Sequence, residues 1–171
     1  MSNNETVKNH FEEGMADFLA NNFGKSIEAL SRAIQIDPNL RIAYLSRGSA
    51  YMKLDKMDDA IADFNTAIGI DREYARAYHL RGLAYEKTGD HHNALQDLDK
   101  AIEINPDYGA AYNSRATLYS KIGKEDLAAE DIEMLTHLTE VNIETFANEN
   151  NVWRSRQLQL EAMDVADPMD R

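Results

Sequence analysis

Residues 75–106 read ARAYHLRGLAYEKTGDHHNALQDLDKAIEINP, and residues 41–72 read RIAYLSRGSAYMKLDKMDDAIADFNTAIGIDR. Shifted by 34 positions, Ala, Tyr, Arg, Gly, Ala and Tyr fall in the same order. A fixed period of this length is the mark of a stacked-repeat architecture, and it is sought before any other feature. Extended in both directions, the period gives four units: 7–40, 41–74, 75–108 and 109–142. Residues 1–6 precede them as an N-terminal extension. Residues 143–166 follow as a helical cap and 167–171 as a frayed tail.

Each unit contains two helical patterns. Tyr44, Gly48 and Tyr51 fall at i, i+4 and i+7, and Ala60, Phe64, Ala67 and Ile68 form a second stripe. Position 15 of the unit, between them, is Asn21, Asp55, Gly89 and Gly123. These residue types best tolerate the left-handed conformation after a helix end. Second helices end at Asp37-Pro38-Asn39 and Asn105-Pro106-Asp107, where proline stops the helix and Asn39 or Asp107 is expected to cap the next. Position 8 is Gly14, Gly48, Gly82 and Ala116, and position 20 is Ser26, Ala60, Ala94 and Ala128. Small residues there let two helices approach, with large residues at positions 4, 11 and 24 filling the space beside them. One unit cannot bury both its faces, so it is stable only in a stack.

The A-Y-x-x-R-G-x-A-Y and A-I-x-D-F-x-x-A-I patterns, the 34-residue period and the closing proline resemble the tetratricopeptide repeat family over residues 7–142. The resemblance implies an all-α fold: a right-handed α-solenoid of four antiparallel helix hairpins. It also implies a concave groove lined by the first helix of each unit at positions 2, 5, 9, 12 and 13. Unit one supplies Lys8, Phe11, Met15, Phe18 and Leu19 there, and unit two supplies Ile42, Leu45, Ser49, Met52 and Lys53. Unit three supplies Arg76, His79, Leu83, Glu86 and Lys87, and unit four supplies Ala110, Asn113, Thr117, Ser120 and Lys121. The lining grades from apolar to polar, with Lys53, Lys87 and Lys121 stacked at position 13. A peptide or helix with apolar anchors at one end and acidic groups near the lysines would suit it. The competing reading has N-terminal residues cover Phe11, Met15 and Phe18, and has the lysines serve only the helix C-termini. Family members that clamp the C-terminal carboxylate of heat-shock chaperones carry Lys and Asn at positions 5 and 9 of unit one. Phe11 and Met15 stand there, so that role is not expected.

Arg47, Arg81 and Arg115 occupy position 7, and Asp63, Asp97 and Asp131 occupy position 23. Unit one has Glu13 and Ala29, so both partners are missing together. Each arginine is therefore expected to pair within its own unit as scaffold. Pairing with the preceding unit would leave Arg47 opposite Ala29.

The chain has 171 residues and a formal net charge of −12. That balance disfavours nucleic-acid partners. The absence of cysteine excludes disulfides and thiolate chemistry. No run of about twenty apolar residues predicts a membrane span, and the N-terminus lacks a secretory pattern, so a cytoplasmic location is expected. No catalytic motif is found, and neither a cofactor nor a metal is expected. His91-His92 reads as a solvated turn between helices. Trp153, the only tryptophan, is expected to anchor the cap. The alternative has the C-terminal segment reach into its own groove or a neighbour's.

Two functions fit. One is a non-enzymatic adaptor that binds a protein partner, with self-association through the solenoid ends open to it. The other is a small acidic chaperone, resembling those of type III secretion, that holds apolar segments of an exported protein.

Overall fold

A computed structural model of the chain describes residues 3–149. They form eight helices: α1 (Asn3–Leu19), α2 (Phe23–Ile36), α3 (Arg41–Lys53), α4 (Met57–Ile70), α5 (Ala75–Thr88), α6 (His91–Ile104), α7 (Gly109–Lys121) and α8 (Glu125–Glu149). Each packs on the helix before and after it in sequence. The odd-numbered helices also touch one another (α1 with α3, α3 with α5, α5 with α7), whereas the even-numbered ones do not. The odd helices are therefore the inner layer of a curved stack and the even helices its outer layer.

The small and large residues interlock as the repeat predicts. A Cβ on Gly48 would lie 2.6 Å from the Phe64 ring, and one on Gly14 would lie 2.6 Å from Leu30 Cγ. Leu30, Phe64 and Leu98, at position 24, are completely buried opposite these glycines. Ala60 and Ala94 are buried beside them. In the last unit Ile132, at the same position, is 56% exposed, because no later hairpin covers it among the described residues. Met134, Val141 and Ile143 leave α8 similarly open.

All four residues at position 15 have positive φ: +60° at Asn21 and Asp55, +83° at Gly89 and +74° at Gly123. The expected caps are not the ones formed. Leu40 and Tyr108 precede α3 and α7 without a side-chain cap. The Asn39 amide instead donates to Asp37 Oδ1 at 3.0 Å, and the Asp107 amide donates to Asn105 Oδ1 at 3.1 Å. The acceptor thus lies two residues upstream and tightens the turn itself. His91 and His92 open α6 rather than lying in a turn, and Asp90 caps that helix by accepting from the Asn93 amide at 3.2 Å. The expected boundaries at 6/7 and 142/143 have no counterpart. α1 begins at Asn3, and α8 runs unbroken to Glu149. Trp153 and the remainder of the expected cap lie outside the described residues.

Each repeated arginine joins two units. Arg47 donates from Nε and Nη2 to Asp63 at 2.9 and 2.7 Å, and from Nη1 to Ser31 Oγ of the preceding unit at 2.8 Å. Arg81 does the same with Asp97 (2.7 and 2.6 Å) and Asn65 (2.5 Å). Arg115 follows with Asp131 (2.9 and 2.6 Å) and Asp99 (2.6 Å). Each guanidinium also sits over two tyrosine rings of its own helix; for Arg81 these are Tyr78 and Tyr85, at 5.5 and 6.0 Å. The Tyr-x-x-Arg-x-x-x-Tyr spacing is thus a clamp on a planar cation. Hydrogen bonding to the aspartates, ahead of the opposing cost of burial, raises the pKa of all three arginines. In unit one the polarity is reversed: Glu13 accepts from Arg32 Nη2 at 3.2 Å.

Candidate interaction groove

An apolar recess of about 140 Å³ opens on the inner layer between residues of α1, α3 and α5. Phe11, Met15 and Phe18 line it from α1, Ile42, Leu45, Ser46 and Ser49 from α3, and Arg76 from α5. Phe18 is braced edge-on by Phe23 with ring centroids 5.4 Å apart, which fixes the wall at that side. Leu45 is only 3% exposed and belongs to the core around Phe64, so it forms the floor of the recess. Arg76 is the only charged residue in the lining. It makes no ion pair or hydrogen bond among the described residues, although the chain carries 30 acidic residues.

Other expected groove residues are placed differently. His79 is 7% exposed and is no part of an open surface. It is held between α5 and α7, with Nδ1 3.0 Å from the Tyr108 hydroxyl and Nε2 2.9 Å from Ser114 Oγ. Ser114 donates its own proton to the Ala110 carbonyl at 2.9 Å, so its oxygen is left to accept from His79 Nε2–H. In the neutral ring Nδ1 then accepts from the Tyr108 hydroxyl. Burial first, and the Arg76 charge second, lower the His79 pKa. With the folded pKa below the unfolded value near 6.5, the contribution to stability is complete above that pH and falls as pH drops from it toward the folded value. His79→Gln should flatten this part of the profile: comparing pH 7.5 with 5.5, wild type loses more thermal stability than the variant.

Lys8 does not line the recess. It pairs with Glu12 at 3.7 Å and borders a separate depression with Asn4, Val7, Phe11 and Leu40. Met52 packs half-buried against the core around Phe64, and Leu83 is half-buried. Asn113 and Thr117 are exposed, and the Thr117 hydroxyl donates to the Asn113 carbonyl at 2.8 Å. The lysine file is partly neutralised from the preceding units. Lys87 lies 3.9 Å from Asp55 Oδ1, and Lys121 lies 3.2 Å from Glu86 Oε1. Lys53 is exposed and has no ion pair among the described residues. The cation available beside apolar surface is thus Arg76 and not the lysine file. Among the described residues no group of three or more His, Asp or Glu could hold a metal ion, and no helix is long and apolar enough to cross a membrane.

Tetratricopeptide repeat family models match residues 14–55, 48–89, 75–108 and 98–130, and the match over 75–108 coincides with the α5–α6 hairpin. The chain belongs to the tetratricopeptide repeat family. No curated protein sequence matches it. Among solved structures it is similar to MamA, at 28% identity and a TM-score of 0.75, with 81% of each chain covered. The Arabidopsis OM64 TPR domain superposes at 24% identity and a TM-score of 0.68, covering 70% of this chain and 99% of that domain. The first TPR of Spaghetti (RPAP3), bound to the HSP90 peptide SRMEEVD, superposes at 24% identity and a TM-score of 0.66, covering 69% of this chain and 94% of that one. Likeness at these last identities is a likeness of fold.

Proposed function

We propose that this repeat protein is a non-enzymatic interaction module that binds a peptide or helix of a partner protein in its concave groove. One observation carries the reading: the recess between α1, α3 and α5 is apolar with a single unpaired guanidinium, Arg76, at its edge. The recurring Tyr, Arg, Gly, Ala and Asp side chains are occupied in holding the stack, which leaves the residues that differ between units to carry specificity. An apolar side chain fits the recess, and a carboxylate next to it meets Arg76. A volume of about 140 Å³ suits one anchoring side chain and not an extended apolar segment. This favours an adaptor over a secretion-type chaperone.

A displayed library of random peptides selected against the full chain tests the proposal. The selected peptides should pair an apolar residue with a neighbouring Asp or Glu, and their binding should fall at least about tenfold with Arg76→Glu. Lys121→Glu should weaken them less, because Glu86 already neutralises Lys121. Equal binding to wild type and to Arg76→Glu would dispose of the proposed anchor.

A further inference from the structure

We infer that the partner segment is an amphipathic helix laid along α1, with two apolar side chains seven residues apart, one in the recess and one in the depression beside Val7, and with carboxylates near Arg76 and Lys8. The inference rests on the groove reading above and names the form of the segment that the groove takes.

The two hollows share a wall. Phe11 lines the recess and also the depression bounded by Asn4, Val7, Lys8 and Leu40. It packs against the core around Leu30, Ile34 and Ala43, which makes it a fixed divider. The apolar lining from α1 runs Val7, Phe11, Met15 and Phe18, at steps of four, four and three, so it is one stripe along the helix. At the other end of the inner layer α7 carries Asn113, Thr117 and Ser120 in the places of Phe11, Met15 and Phe18. The apolar surface therefore follows one helix and does not cross the whole groove.

Spacing decides the form of the occupant. On α1 the centres of the two sets of lining residues lie about seven residues apart, ~10 Å at 1.5 Å per residue. A helix brings residues i and i+7 to one face at about that distance. A β-strand does not. Its residues on one face lie ~6.6 or ~13 Å apart, and the residue ~10 Å along points the other way. A polyproline-type chain repeats at ~9.3 Å, but its carbonyls have no internal donors and must find them on the surface. Phe11 and Met15 offer none, and the Ser49 hydroxyl is already donated to the Leu45 carbonyl at 2.9 Å. A helix satisfies its own backbone and needs only an apolar seam for its side chains.

Charge agrees with this. One cation lines each hollow, Arg76 in the recess and Lys8 in the depression, and no acidic residue lines either. Lys8 lies 3.7 Å from Glu12, with both side chains more than half exposed, so a partner carboxylate can share it readily.

Two synthetic peptides, measured by fluorescence anisotropy against the full chain, test the inference. Both carry two leucines seven residues apart and a glutamate one turn from each, on an alanine and glutamine background. One has a hydrocarbon staple on the face opposite the leucines, which holds the helix. The other has a proline between the leucines, which breaks it. The stapled peptide should bind at least about tenfold more tightly, and replacing either leucine by alanine should weaken it about tenfold, the effect of burying one such side chain. Val7→Asn should shrink the effect of one of these replacements and Ile42→Asn that of the other. Equal or tighter binding of the proline peptide, full affinity with a single leucine, or binding by neither peptide would overturn the inference. The groove reading survives each of these results if the peptides selected from the random library still depend on Arg76. It is lost if they do not, whatever the form in which they bind.

Discussion

Phe64→Ala should lower the free energy of unfolding by about 3–5 kcal/mol, the range for removing a large aromatic side chain from a packed core. The ring is completely buried in a core cluster drawn from three helices: Leu45 of α3, Ala60 and Ala67 of α4, and Ala77 and Ala84 of α5. The buried members of the cluster are mostly alanines, with larger side chains such as Tyr51, Met57 and Ile68 packed around it, and the loss is expected within that range. Gly48→Ala should also destabilise, because its Cβ would stand 2.6 Å from the ring. Unit four carries an alanine at this position, Ala116, and a smaller aliphatic residue, Ile132, at position 24. Combining Gly48→Ala with Phe64→Leu should therefore cost less than the sum of the two single changes. Denaturant midpoints of the four chains measure this coupling, and strict additivity would contradict the interlocked pair.

Asp97→Ala is the second large effect. The Arg81–Asp97 pair is 19% and 8% exposed, and removing the carboxylate leaves a mostly buried cation without its bidentate partner. Breaking a buried pair from one side costs about 3–5 kcal/mol; the residual exposure of Arg81 places the expectation nearer 2–4. Replacing both members, as Arg81→Met with Asp97→Leu, should return the chain to within about 1–2 kcal/mol of wild type, since two desolvated charges become apolar packing. The loss of the Arg81 bond to Asn65 keeps the double variant from full recovery. If the double variant is as unstable as Asp97→Ala alone, the arginine holds the units together by something other than this pair.

These two sites also show what the amino-acid sequence discloses. The Arg–Asp register was readable because unit one lacks both partners at once, which points each arginine to the position-23 aspartate of its own unit rather than of the preceding one. The glycine at position 8 and the left-handed turn residues at position 15 were readable because each recurs wherever the backbone requires it. The arginine's third partner was not foreseen, although Ser31, Asn65 and Asp99 recur as acceptors at position 25. Their chemistry differs from unit to unit, and only the packing of one hairpin on the next brings them within reach. The same dependence took His79 out of the open groove and sank Leu45 to the floor of the recess. Both stand at position 5, and the side chains of adjacent units decide whether that position is covered. The pairing of Lys87 and Lys121 with acids of earlier units is likewise a product of curvature, which no single repeat encodes. Arg76 was placed in the groove from the sequence, but its isolation from every described carboxylate emerges only from the assembled inner face.

The central claim is that repeated residues build the stack while the residues that differ between units bind the partner. Phe18→Glu tests it most directly, compared with wild type in a side-by-side capture of partners from the native cell, with unfolding midpoints recorded for both chains. The account predicts that Phe18→Glu stays folded and loses the captured partners. A folded Phe18→Glu chain that recovers the same partners as wild type would contradict it.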